Sequence, residues 1–567
     1  MAGENMANVL RGILGAGAGV ALAVLYGAAC DDGSSGGGAG AAGAVGGAAG
    51  GAGAVGAAGG AAGAGGGAAG AGAAGAAGAA GAASKAPEIA SSLLATLSGS
   101  EGYDWVGYSL LAAGDLNGDG AADAAVASLS AGAGGRVAVF FGPLRGERLT
   151  GAPDALLTGE FTFHNAGQSI AEAGPCDFDG DGHADLLLGS PFGDRYDIET
   201  QAMVSGDNAG RAYIVFGGPA LSSAWAPSAA ARLSRADVTF VGEGAYDGAG
   251  FTVGCVGDLD GDGRAEAAIG APRARGPSGG ARAGAVYLVY GRTRAEFPTV
   301  LNLEKADAIV RGDAAYDAFG SSIAALGDVT GDGRADFGVG APGADEGAKD
   351  AGAAYVFAGG AGRFAGALAA GATGRLLYGA DAGGRVGMAL TSAGDFDGDG
   401  TRDVLVGTAT VGAAERGPGR AYVLAGGAAL AAPGKAALAP SALTLVGATA
   451  GDFAGLGVGR VGDLDADGRD ELAIGAPGGD GVEPGAGRVY LVKGRAFAAG
   501  ASAPLGAERV AAKGGNGGDL LGEVVRGGQD FDGDGTPDLM ATARGRNAPS
   551  AQAAGAAYVI SGKGLLP

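Results

Sequence analysis

The sequence predicts an all-β fold, a seven-bladed β-propeller of four-stranded blades closed by an N-terminal strand that completes blade seven. Three observations predict it. First, a nine-residue Asp- and Gly-rich loop occurs seven times: DLNGDGAAD (115–123), DFDGDGHAD (177–185), DLDGDGRAE (258–266), DVTGDGRAD (328–336), DFDGDGTRD (395–403), DLDADGRDE (463–471) and DFDGDGTPD (530–538). Second, each loop is followed by a recurrent β-branched and aromatic stretch, such as GRAYIVFGG (210–218), GAVYLVYG (284–291) and GRVYLVKG (487–494), which reads as a strand. Third, the loops start 62 to 81 residues apart. That is the spacing of four-strand units arranged around an axis.

Residues 1–30 read as an export signal, with Arg11 ending a short polar stretch and an apolar run over 12–29. Ala28 and Ala29, directly before Cys30, resemble the lipobox of bacterial lipoproteins, in which the cysteine is lipidated. Gly27 stands where that pattern prefers Leu, and an ordinary cleaved signal is the alternative. The next segment, 31–87, reads as a Gly/Ala-rich flexible tether, because between 36 and 83 only Val45 and Val55 are neither Gly nor Ala. Such a chain has nothing to bury, and spans about 40 Å on Gly-rich scaling. The propeller takes the remainder, 88–567.

Within the fourth repeat the strands read as 321–328, 337–342, 352–360 and 375–379, with the loop between the first two. The chain stops just after the third strand of the seventh repeat. A spare segment, SSLLATLSG (91–99), aligns with the fourth-strand segments VTFVG (238–242) and LTLVG (443–447). It completes blade seven and leaves no long unpaired edge.

The loop spacing is that of a calcium site. Calcium takes six to eight oxygens, and positions 1, 3 and 5 of a tight loop converge on one point with the backbone carbonyl at position 7. Position 1 is Asp115, Asp177, Asp258, Asp328, Asp395, Asp463 and Asp530. Position 3 is Asn117, Asp179, Asp260, Thr330, Asp397, Asp465 and Asp532. At position 5 stand Asp119, Asp181, Asp262, Asp332, Asp399, Asp467 and Asp534. The carbonyl at 7 belongs to Ala121, His183, Arg264, Arg334, Thr401, Arg469 and Thr536. Position 9 closes the cage with Asp123, Asp185, Glu266, Asp336, Asp403, Glu471 and Asp538. Glycine at position 6 in all seven copies permits the sharp turn. Thr330 offers only a hydroxyl, so its site is expected to be the weakest. An EF-hand is excluded, because position 12 is Val126, Leu188, Ile269, Val339, Val406, Ile474 and Ala541 where that loop needs a bidentate Glu. Each loop therefore joins two strands of a hairpin.

These loops also explain the charge. They hold 26 of the 60 acidic residues at positions 1, 3, 5 and 9, leaving 34 acids against 37 basic residues elsewhere. Seven Ca²⁺ ions would take the net charge from −23 to −9. There is no basic face of the kind a nucleic-acid partner requires.

The repeats resemble the FG-GAP family, the seven-bladed propeller at the head of integrin α subunits. Phe319-Gly320 supplies the FG, and Gly270, Gly340 and Gly475 each open a GAP. A glycine stands eight residues before the loop in six repeats (Gly107, Gly250, Gly320, Gly387, Gly455 and Gly522), while Gly167 stands ten before. The resemblance implies structural calcium in the loops. It also implies ligand docking on the opposite face, formed by the connections between strands two and three and between strands four and one.

Other chemistry is sparse. Of the two histidines, His183 is expected to face solvent from its loop, and His164 lies in a turn with a structural or surface role. Cys176 and Cys255, in neighbouring repeats of an exported chain, form either a disulfide or two buried thiols. The longest second-to-third connection, in blade two, nominates Phe192, Asp194, Arg195, Tyr196 and Asp197, with Glu199 beside them, as a ligand surface. Tyr103, Trp105, Phe161, Phe163, Tyr246 and Tyr316, in or beside fourth-to-first connections, are expected to pack between blades.

The sequence thus reads as an exported, surface-tethered, calcium-binding propeller without catalysis, a binding or adhesion module for an extracellular protein or glycan, anchored by lipid to the outer membrane or cell surface. Two other classes stay open. One is a polysaccharide-acting enzyme in the propeller mouth, which would need His, Lys and Tyr converging on one face. The other is a calcium-dependent lectin or a structural envelope subunit; a glycan screen with and without chelator would separate a lectin from a protein adhesin.

Overall fold

The structure is a computed structural model, and it describes residues 87–89, 92–129, 134–160, 164–171, 176–197, 202–204, 207–227, 232–276, 280–360, 362–408, 417–548 and 551–565. The segments read as signal and tether, including Cys30, lie outside the described residues.

The described residues form a seven-bladed propeller. Blade four shows the pattern: Ser322–Gly327, Asp336–Ala341, Ala353–Phe357 and Arg375–Tyr378 pair antiparallel in sequence order. Its two middle strands are buried throughout. That is why they are near-continuous Ala, Val, Phe and Gly rather than alternating polar and apolar. Seven apolar layers, one at each seam between neighbouring blades, form the core, and the layer between blades seven and one closes the circle.

Closure follows the sequence expectation. Leu93–Ser98 pairs antiparallel with Ala556–Ile560 as the fourth strand of blade seven. The two-residue strand Glu88–Ile89 pairs with Arg509–Lys513 of blade six, so one N-terminal segment ties two blades.

Each blade has the four expected antiparallel strands, and most add one more. Blades two to seven carry a fifth, outermost strand, and in five of them it runs parallel to the fourth and comes from the next blade's third-to-fourth connection. Gly434–Ala437 on Arg375–Tyr378 is one such strand. It covers an edge that would otherwise present unpaired N–H and C=O groups.

First strands from all seven blades line a central channel, with Tyr108, Gln168, Ser321 and Glu523 among the residues at the end remote from the loops. Glu523 is paired there with Arg544 at 2.8 Å, and the Arg544 guanidinium lies over the Tyr108 ring at 5.1 Å. Cys176 and Cys255 form a disulfide, with Cα atoms 5.9 Å apart, that staples blade two to blade three.

Candidate metal centres

Each nonapeptide loop joins the first and second strands of its blade, and its fold is dictated by its own carboxylates. In the third loop one oxygen of Asp258 accepts the N–H groups of Gly261 (2.6 Å) and Asp262 (3.0 Å), and the other accepts Gly263 (2.8 Å). Asp262 accepts the Arg264 N–H at 3.0 Å. The same bonds recur in the second loop around Asp177 and in the seventh around Asp530. Glycine at position 6 is required because φ there is 85–90° in the five loops from Gly120 to Gly400.

Position 9 is fixed from two sides. Asp185 accepts the Phe178 N–H of its own loop at 2.8 Å and the Gly217 N–H at the end of the blade's third strand, also at 2.8 Å. Asp123 with Gly142, Asp336 with Gly359, Asp403 with Gly426 and Asp538 with Gly562 repeat the second bond at 2.8–2.9 Å. These terminal glycines cannot be replaced: a Cβ on Gly217 would stand 2.0 Å from the Ala184 carbonyl oxygen. Burial pushes the position-9 carboxyls up, and neighbouring loop carboxylates add to the effect in six of them. Asp185 and Glu266 reach about 8, Asp123, Asp403 and Glu471 about 7, and Asp538 about 6, while Asp336 is raised by burial.

The donor set fits a hard divalent cation. Ligand oxygens of Asp177, Asp179 and Asp185 lie within 4.8 Å of one another, as do those of Asp395, Asp397 and Asp403, of Asp463, Asp465 and Glu471, and of Asp530, Asp532 and Asp538. The third loop gathers four, Asp258, Asp260, Asp262 and Glu266. An ion there would offset the charge that burial opposes. Among the described residues the first and fourth loops gather no such triad, for they have Asn117 and Thr330 at position 3. Asn117 turns inward, its amide donating to Asp119 at 2.9 Å. Position 5 joins the cluster only in the third loop. In the third loop, as at Asp181, Asp399, Asp467 and Asp534, the position-5 carboxylate also accepts the position-7 N–H.

Several contributors come from distant sequence. Arg294, in blade three, ion-pairs with Asp179 and, at 2.7 Å, Asp181 of the second loop. Arg363, in blade four, does the same to Asp260 and, at 2.9 Å, Asp262 of the third. These guanidiniums neutralise part of the loop charge and sit where they would compete with a metal.

Side chains at position 7 reach the preceding loop. A Cβ on position-4 glycines Gly118, Gly180, Gly261 and Gly398 would meet His183, Arg264, Arg334 and Arg469 respectively at 2.3–3.0 Å. The His183 ring is therefore half-buried against a neighbouring loop rather than facing solvent. Where the next position 7 is Thr401 or Ala121, Gly331 and Gly533 have nothing within 4 Å. Before Thr536, position 4 is Ala466.

On the opposite face, Arg195–Asp197 pairs with Ala202–Val204 as a hairpin. The side chains of Arg195, Tyr196 and Asp197, and all of Glu199, lie outside the described residues. Phe192 lies under the Arg273 guanidinium at 5.8 Å, and Asp194 accepts the Asn208 N–H at 3.2 Å. His164 is buried, and burial lowers its pKa. Close by, Glu160 holds Arg211 at 2.9 Å and the Tyr213 hydroxyl at 2.8 Å. Glu243, Arg311 and Tyr287 repeat that strut one seam on, which sequence reading did not find. Phe161 and Phe163 lie outside the described residues, and Trp105 is half-buried. Tyr103, Tyr246 and Tyr316 are exposed, against the expectation that they pack between blades.

Comparison with known proteins agrees with the blades. The FG-GAP repeat model matches residues 171–215, 251–289, 319–357, 458–492 and 521–560, which are blades two, three, four, six and seven. The chain is 29% identical to integrin alpha-PS2 of Drosophila melanogaster over 245 residues, 43% of this chain and 16% of that protein. It is 29% identical to integrin alpha pat-2 of Caenorhabditis elegans over 247 residues, 42% of this chain and 18% of that protein. The aligned region spans less than a fifth of the length of either relative. Five of the seven blades thus carry FG-GAP repeats, blades one and five are built on the same plan, and the propeller is integrin alpha N-terminal-like.

Proposed function

We propose that this chain is an exported, surface-tethered binding or adhesion module whose propeller is held by calcium and whose ligand is an extracellular protein or glycan. The observation that carries the reading is the convergence of three or four carboxylates in each of five loops. Those five are the tight calcium sites; the loops of Asn117 and Thr330 are weaker ones. The ion's role is structural, since it would neutralise clustered carboxylates and fix the hairpin that begins each blade.

Other observations agree. The Cys176–Cys255 disulfide suits an oxidising compartment. Lipidation at Cys30 and a Gly/Ala tether would hold the propeller away from an outer membrane or cell surface, with the face opposite the loops free for ligand.

The test is display of the full chain on a non-adherent bacterial host, with adhesion measured in calcium and in chelator. Calcium-dependent adhesion is expected. Absence of adhesion, or adhesion indifferent to chelator, would count against the reading.

A further inference from the structure

We propose that Tyr103, Tyr246 and Tyr316 form a binding arc for an uncharged polysaccharide of regularly repeating sugars, on the face opposite the nonapeptide loops. This deepens the proposed function and rests on it.

The three tyrosines share one register, four residues before the glycine that opens a blade. At this register the backbone N–H donates to the preceding blade's second-to-third connection: Tyr103 to Gln552 (2.7 Å), Tyr246 to Asp207 (2.7 Å) and Tyr316 to Ala281 (3.0 Å). Gly383 to Lys349 (2.9 Å), Gly451 to Gly417 (3.1 Å) and Gly518 to Gly485 (3.0 Å) complete the set. All six residues are left-handed, with φ of 60°, 66° and 71° at the tyrosines and 69°, 92° and 88° at the glycines. Glycine takes this conformation freely, whereas a residue with a Cβ is strained in it.

Blades five, six and seven thus carry the residue the backbone favours, and blades one, three and four carry one it opposes. Packing does not compensate, because Tyr103, Tyr246 and Tyr316 are 49%, 62% and 48% exposed. Among the described residues they are all of the exposed large aromatics. A disfavoured residue repeated at one exposed position points to a role outside the fold.

The chemistry indicates the ligand. A tyrosine offers a flat apolar face and one hydroxyl, which match the C–H face and hydroxyls of a sugar ring. Equivalent platforms at one register, before blades one, three and four, suit a polymer with a repeat, whereas a protein partner calls for one continuous apolar patch. Beside Tyr316, Asp317 lies near Asp313 and Asp345, and these acids oppose an anionic polymer.

The test is affinity electrophoresis of the full chain in native gels containing galactomannan, dextran, laminarin or hydroxyethyl cellulose, with alginate as the anionic polymer. At least one uncharged polymer is expected to retard the wild type. Tyr246→Gly and Tyr316→Gly should each weaken that retardation about tenfold while keeping or raising the melting temperature. Retardation by alginate alone, retardation indifferent to the substitutions, or a melting temperature lowered by them would overturn the proposal. No retardation together with calcium-dependent adhesion would refute the glycan while leaving the adhesion module with a protein ligand. Loss of both would remove the two together.

Discussion

A buried carboxylate at position 9 ties three parts of each blade, and its partners explain why so few residue types occur around it. Asp185 receives N–H groups from its own loop and from Gly217, and the Gly217 Cα faces the Ala184 carbonyl with no room for a methyl group. Gly217→Ala should therefore destabilise the chain by about 3 kcal/mol, through lost hydrogen bonding and backbone displacement, as read by thermal melts. A loss below about 0.5 kcal/mol would show that the strand end is free to move. Asp317 gives a pH-dependent counterpart. It is 7% exposed, and burial, with Asp313, Asp345 and Glu346 nearby, pushes its pKa up to about 6. Because the folded-state value is raised above the unfolded one, the stability from this group is fully present below about pH 4. It is lost as pH rises through about 6. Asp317→Asn keeps an oxygen for the Ala314 N–H and removes the charge. It should melt higher than wild type at pH 7.5, by up to about 3 kcal/mol, with the gap closing towards pH 4. A gap independent of pH would contradict this account.

Loops and strands differed in how much their sequence disclosed. The nonapeptide loops were legible because their ligands are local and the pattern is repeated seven times. The third strands were legible because they are apolar and β-branched. The fifth strands were not: GALA (Gly366–Ala369) and GKAA (Gly434–Ala437) contain no β-branched residue, are only partly buried, and pair with the preceding blade rather than with their own. Arg294 and Arg363 were equally hidden, since each meets a loop more than 100 residues away. The link between position 7 and the preceding loop's position 4 did leave a trace, in that Ala466 at position 4 is followed in the next loop by the short Thr536. At this scale the proposal of graded calcium sites is open to test by substitution. Thr330→Asp gives the fourth loop a carboxylate at position 3 and should raise the number of tight sites from five to six in calorimetric titration. An unchanged count would show that position 3 does not set affinity.

The whole propeller is a closed circle of seven apolar seams, and closure depends on two short strands near its start. Leu93–Ser98 supplies the last strand of blade seven and Glu88–Ile89 the outer strand of blade six, so the two ends of the folded region are tied together. The register of 91–99 against other fourth strands was enough to foresee the first of these ties. The second is two residues long and could not be read from pattern. Among the described residues the nonapeptide loops lie on one face of the circle and the connections between blades on the other, so the proposed metal sites and the proposed ligand surface do not compete for space. Calcium would act on ligand binding through the hairpins that set each blade, a structural coupling rather than a chemical one. The most direct test is a count of calcium bound to the full chain, made alongside thermal melts with and without excess EDTA. Five tightly bound ions, two more at higher calcium, and a fall of at least about 10 °C in EDTA are the predicted result. A count near zero with an unchanged melt would contradict it, and would leave the loops as hydrogen-bonded turns.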